Sequence, residues 1–146
     1  MKSWLSLALA VALAGPAAAQ TKAGDLTISG AVIRATAPGV PNTAGYMTIA
    51  NAGSADDTLL SASCACAARI EMHLSHVMDG KAMMMPSGPV LAPARRTVSF
   101  APGGYHLMIM GVKGGLKDGS TQTVTLKFQK AGTVAVPFKV QAKIGR

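Results

Sequence analysis

The sequence predicts an all-β domain, an antiparallel sandwich or barrel. Short apolar, strand-like runs recur along the chain with Gly-, Pro- and Asn/Asp-rich turn residues between them. No segment sustains a helical period over three turns, and many short strands at close spacing are what sandwiches and barrels are built from. Prolines and lysines at the margins of the runs suit exposed sheet edges.

Taken in order, the chain opens MKSWLSLALAVALAGPAAAQ. Lys2 precedes an uncharged apolar run from Trp4 to Gly15, and small residues at Ala17 and Ala19 follow Pro16, the layout of a secretory leader over residues 1–19. The run is well short of the roughly 20 residues a spanning helix needs, so no membrane span is expected. No cysteine lies near the expected cut, so a lipid has no attachment point there and the mature chain reads as soluble and exported. Residues 20–146 then suit one domain with a modest core.

Within that domain, Leu26–Thr36 reads as a strand ended by APGVPN, and Gly45–Ala50 as one closed by NAGSADD. Thr58–Ser63 and Arg69–Val77 lie on either side of SCAC, with a turn expected at Ala67-Ala68. MDGK separates Arg69–Val77 from Lys81–Met85, and PSGP closes the latter. Thr97–Phe100 and Tyr105–Val112 flank APGG; Gln122–Phe128 and Val134–Val140 flank KAG. Gly115–Gly119 leaves room for one short helix.

The formal charge of +8 falls to +7 once Lys2 leaves with the leader. The basic residues are scattered, as Arg95-Arg96, Lys113, Lys117, Lys127, Lys130, Lys139 and Lys143, with little aromatic interleaving. That pattern argues against a nucleic-acid ligand. It fits a solvated basic surface, or a docking face for an acidic partner. Cys64 and Cys66 are too few for a disulfide scaffold. A local disulfide or small buried residues are the expected readings, with a soft-metal thiolate pair as the lesser one.

The chemistry concentrates in two segments. In PGGYHLMIMG, Pro102 to Gly111, one of only three histidines stands in step with two methionines. Alternate strand residues share a face, so His106, Met108 and Met110 point to one expected outer face while Leu107 and Ile109 enter the core. Upstream, RIEMHLSHVMDGKAMMMP places Asp79-Gly80 between two apolar runs, a strong two-residue hairpin signal. That turn pairs Met78 with Lys81, Ser75 with Met84 and His73 with Pro86. His73 and Met84 then share a face as diagonal neighbours, about 7–8 Å apart at the backbone. Ile70, Met72, Leu74, His76, Met83 and Met85 fall on the opposite, core-like face.

Two His/Met pairs thus present nitrogen and thioether sulfur together. Thioether is soft and uncharged and suits Cu(I) far better than zinc, magnesium or calcium, and imidazole also suits copper. Thioethers are not consumed by disulfide formation, which matters in an oxidising compartment. The competing explanation is methionine as flexible core filler. A blue-copper centre would need a cysteine among the ligands, yet both cysteines precede His73. A hydrolase would need a nucleophile–base pair, and only Glu71 stands near these residues.

These residues resemble the periplasmic copper chaperones that supply the CuA centre of cytochrome c oxidase. The family motif is His, ten residues, Met, twenty-one residues, then His-x-Met. His73, Met84, His106 and Met108 match every spacing. RATAPGVPNTAGYMTIANAG, the Glu71–His73 context and PGGYHLMIMG are similar as well, so that the likeness covers about Leu26 to Val140. The resemblance implies a cupredoxin-like β-sandwich or Greek-key barrel in the periplasm, not an enzyme. It implies Cu(I) held by His73, Met84, His106 and Met108, and leaves Cu(II) open. It further implies delivery to cytochrome c oxidase subunit II or another periplasmic copper protein. Copper buffering or resistance without a dedicated acceptor is the alternative. Met83, Met85 and Met110 remain competitors for the methionine positions.

Overall fold

A computed structural model describes residues 19–144. The expected leader lies outside the described residues but for Ala19. Among those residues there are eleven strands and no helix: β1 (Thr21–Ala23), β2 (Leu26–Arg34), β3 (Asn42–Asn51), β4 (Asp57–Cys64), β5 (Ala67–Met78), β6 (Lys81–Pro86), β7 (Val90–Ala92), β8 (Thr97–Phe100), β9 (Tyr105–Val112), β10 (Thr121–Phe128) and β11 (Gly132–Gln141). No helix among them could cross a membrane.

The strands run in the order β6-β5-β9-β8-β3-β2-β11-β10-β4-β7, with β1 on β2. Further pairings β5–β4 and β9–β3 close this sheet into a barrel. Antiparallel pairing prevails as expected, but β11 meets β2 and β8 meets β9 in parallel. The first long strand and the last thus lie side by side, a pairing that local sequence does not reveal. β2 bulges between Ser29 and Val32, where Gly30 takes φ 60° without a Cβ penalty.

Alternation builds the interior. Val124, Leu126 and Phe128 on β10 and Val136, Phe138 and Val140 on β11 point inward and are essentially inaccessible. Leu107 and Ile109 on β9 meet them in one core with Leu26, Ile28, Ile33, Ile49 and Leu59. Each such side chain contributes roughly 1.5–3 kcal/mol by leaving water. Asp57 is the charged exception, buried where β4 passes the β10–β11 turn. Its carboxylate accepts the backbone N–H groups of Thr58, Lys130 and Ala131 at 2.8, 2.8 and 2.9 Å. Burial alone would raise its pKa, but these three bonds and the charge of Lys130 outweigh it and hold the carboxyl below its ordinary range.

The nine expected strands are all present, and β1 and β7 are additional three-residue strands too short to show a period. Gly115–Gly119, which left room for a short helix, does not form one. Leu116 instead exchanges backbone hydrogen bonds with Thr36 and buries its side chain. Cys64 and Cys66 form a local disulfide. The turn between β4 and β5 falls at Ala65-Cys66 rather than Ala67-Ala68, and brings the two Cα atoms to 5.1 Å. With both sulfurs in that bond there is no thiolate pair.

Candidate metal centre

Three strands carry the chemistry, side by side in the order β6-β5-β9. Asp79 and Gly80 form the β5–β6 turn with φ 52° and 73°, the conformation that aspartate and glycine tolerate. The register is the one expected from that turn: Met78 opposite Lys81, Ser75 opposite Met84, His73 opposite Pro86. Pro86 lacks an N–H and ends the strand where none is needed. On its other side β5 pairs with β9, and this sets His73 directly opposite His106 and Glu71 opposite Met108. The imidazole centroids are 5.7 Å apart.

Each ring has one nitrogen engaged. His73 Nε2 lies 2.9 Å from Glu71 Oε2, which as an ionised carboxylate can only accept, so Nε2 carries the proton. The bond to His73 comes first, with help from Arg69, in holding the Glu71 carboxyl below its usual range. His106 Nδ1 faces the Gly104 carbonyl at 3.3 Å, again an acceptor, so Nδ1 is the donor there. The remaining nitrogens, His73 Nδ1 and His106 Nε2, are both buried and without any hydrogen-bond partner. Each is a bare lone pair. Buried polar atoms normally find partners, and an orphan costs about 1–3 kcal/mol. Two orphans on facing rings are what a site for an electrophile requires, and a soft cation fits them without any proton being displaced.

Two thioethers share a groove with His106, and His73 is not among the residues that line it. Met84, Met108 and His106 line one groove of about 400 Å³, together with Ser75, Tyr46, Arg34 and the Pro102-Gly103 loop. Met84 is 62% exposed, at the mouth, and His106 only 3% exposed, at the base. His106 was expected on an outer face. Although it points away from Leu107 and Ile109, the His73 ring and the Gly104 loop cover it. Burial, then the charge of His73 if protonated, keeps the His106 pKa below the ordinary imidazole value despite the opposing Gly104 bond.

The competing methionines are separated from this groove. Met110 sits opposite Arg69, and its sulfur accepts the Arg69 Nη2–H at 3.6 Å. Met83 and Met85 project to the opposite face of β6 from Met84, as expected, but that face is not core-like there. Ile70 and Met72 are buried, whereas Met83 and Met85 are 43% and 49% exposed. The hairpin outruns the barrel, and β6 has β5 as its one strand neighbour among the described residues. Glu71, two residues before His73 on the same strand face, both fixes the His73 tautomer and pairs with Arg69 Nε at 3.5 Å.

A smaller cleft beside Asp25, Asp57 and Lys130 offers no comparable donors, because the Asp57 carboxylate is already occupied by three backbone groups.

Fold and donor set together define the class: a closed β-barrel domain that presents imidazole and thioether groups at one rim. Residues 26–140 match the model of the lipoprotein-named LpqE-like family. A Leifsonia xyli subsp. xyli chain named as a lipoprotein, Lxx21020, is 34% identical over 130 residues, spanning 85% of this chain and 77% of that one. Among solved structures, the apo form of DR1885 from Deinococcus radiodurans is 32% identical with a TM-score of 0.64, covering all of both chains. Its Cu(I) form matches at 30% identity and a TM-score of 0.60, over 92% of this chain and 85% of that one. The apo PCuAC domain from PmoF1 is 26% identical with a TM-score of 0.75, over 86% of this chain and all of that domain. The chain belongs to the LpqE-like family and is of the PCuAC type.

Proposed function

We propose that this protein is an exported copper chaperone. In this reading it holds one Cu(I) through His73 Nδ1, His106 Nε2 and the thioethers of Met84 and Met108, and delivers it to the CuA site of cytochrome c oxidase. The observation that carries the proposal is the pair of bare, buried imidazole nitrogens on facing strands beside a groove lined by two thioethers. The copper-bound relatives support the choice of metal, because a Cu(I) form of DR1885 exists.

Four neutral ligands leave the ion with its full positive charge. No thiolate locks it in place. Glu71 and the Gly104 carbonyl fix each ring and its tautomer, so the site is organised before the ion arrives. Ligand exposure sets the order of exchange. Met84, the most exposed donor, yields first to an incoming ligand, Met108 follows, and the buried histidines release last. An acceptor offering anionic, softer thiolates draws the ion downhill. Nothing in this sequence of exchanges breaks a covalent bond of a substrate, so the protein acts as a carrier rather than an enzyme. The periplasm is the compartment that fits both the expected leader and a donor set that resists oxidation.

Anaerobic Cu(I) titration against a competing chelator, followed by addition of a soluble CuA-bearing domain, tests the proposal. Binding of Cu(I) and its transfer to that domain is the expected result. Binding without transfer would leave copper buffering as the function. Absence of tight binding would remove the copper role altogether.

A further inference from the structure

The β5–β6 hairpin exposes five large apolar residues: Val77, Met78, Met83, Met84 and Met85, each between 43% and 71% accessible. Core filling explains none of them, since nothing packs over them, and such a patch works against solubility unless it has a use. Met84 belongs to the groove. On the opposite face of the hairpin, Met83 stands directly across from His76, with Met85 one step along across from Leu74, and Met78 across from Lys81. Directly opposed strand residues have Cβ atoms about 4.5–5.5 Å apart, and their diagonal neighbours are about 7–8 Å apart at the backbone. An imidazole and at least two thioethers therefore fall within one ion's reach, with His76 half-buried and both methionines exposed, on a face that the groove site does not use.

We propose that His76, Met83 and Met85 form a second, shallow site for a soft monovalent cation, Cu(I) or Ag(I), with Met78 as a fourth donor about 7 Å along the strand from His76. The donor chemistry selects the cation. A nitrogen and uncharged sulfurs hold soft monovalent ions and have little to offer magnesium, calcium or zinc. No carboxylate lies on this face of the hairpin, and Lys81 at its tip would repel a doubly charged ion more than a singly charged one. The two sites stand back to back across one strand, with Met84 on the groove side and its two neighbours on the other. The hairpin would thus take up a second ion while the groove is filled. The outer site binds more weakly, because its donors are more exposed and lack the fixed tautomers of His73 and His106.

The proposal is tested on the full chain, with Met, Leu and Ile methyl groups carbon-13 labelled, the histidine rings nitrogen-15 labelled and Ag(I) as a redox-inert probe. The expected titration has two steps. The first moves the Met84 and Met108 methyl signals, and the second moves Met83 and Met85 with the His76 ring. In the variants His76→Gln and Met83→Leu the second step disappears and the first persists, while unchanged Leu107 and Ile109 methyl signals report an intact barrel. Saturation at one equivalent with Met83 and Met85 unmoved would overturn the proposal. So would a second step that survives in both variants. Loss of the first step alone would count against the groove site and not against this one, since each site has its own reporter methyls.

Discussion

Replacing His106 by leucine should make the metal-free protein more stable while abolishing its copper binding. In the wild-type barrel His106 is 3% exposed and buries a bare Nε2 with no partner. That desolvated atom costs about 1–3 kcal/mol. Leucine removes it at similar volume and adds apolar burial. The loss on the other side is one long bond from Nδ1 to the Gly104 carbonyl, 3.3 Å, worth roughly 0.5–1 kcal/mol; that carbonyl keeps the Ser75 N–H at 3.1 Å and is not left unpaired. The net expectation is a gain of about 1–2 kcal/mol. At a urea dependence of about 2 kcal/mol/M this moves the unfolding midpoint up by roughly 0.5–1 M with an unchanged slope. The sign of the pH effect follows from the depressed His106 pKa. The unfolded chain takes up the proton first, so wild-type stability is complete above the unfolded value of 6.5 and is lost as pH falls from there through the lowered folded value. His106→Leu removes that part of the loss. Urea melts of both apo proteins at neutral and mildly acidic pH provide the assay. A variant less stable than wild type by 1 kcal/mol or more, at equal slope, would refute the reasoning, because it would mean that His106 is a satisfied structural residue.

Leu107→Ala should do the reverse, costing about 2–5 kcal/mol in a chemical melt, since Leu107 is inaccessible in the barrel centre. Asp57→Ala should cost at least about 2 kcal/mol by stranding the N–H groups of Thr58, Lys130 and Ala131. The stability that wild-type Asp57 supplies is present above its unfolded pKa of 3.8 and is lost as pH falls through the lowered folded value, which an acid titration of both proteins would reveal. Copper affinity should decline with acid because protonated imidazole cannot ligate, but the share due to His106 should set in below the ordinary imidazole range; chelator competition across pH measures it. The Cys64→Ser/Cys66→Ser double variant should still bind Cu(I) in the groove under reducing conditions, since the disulfide lies at the β4–β5 turn and contributes no groove residue.

Much of the centre was legible in the sequence because strand geometry is periodic. Asp79-Gly80 fixed one hairpin register, and parity then assigned His73, Met84, His106 and Met108 to faces that the structure reproduces. Whether a face is covered is another matter, because it depends on neighbours distant in sequence. His106 was expected outside and is enclosed by the ring of His73 and the Gly104 loop. Met83 and Met85 were expected against the core and are exposed, because β5 and β6 project past the end of the barrel. The His73–His106 pairing joins residues 33 positions apart, and no local pattern encodes it. Leu116 shows the same limit on a smaller scale: a Gly-flanked segment that could have turned into helix is captured by Thr36.

The central claim concerns two particular atoms, and nitrogen-15 spectra of the imidazole rings at one equivalent of Cu(I) read them directly. The account predicts that the His73 Nδ1 and His106 Nε2 resonances shift on binding, while the protonated His73 Nε2 and His106 Nδ1 keep their hydrogens and move little. A large shift at His73 Nε2 with Nδ1 unmoved, or rings that do not respond to the bound ion, would contradict it.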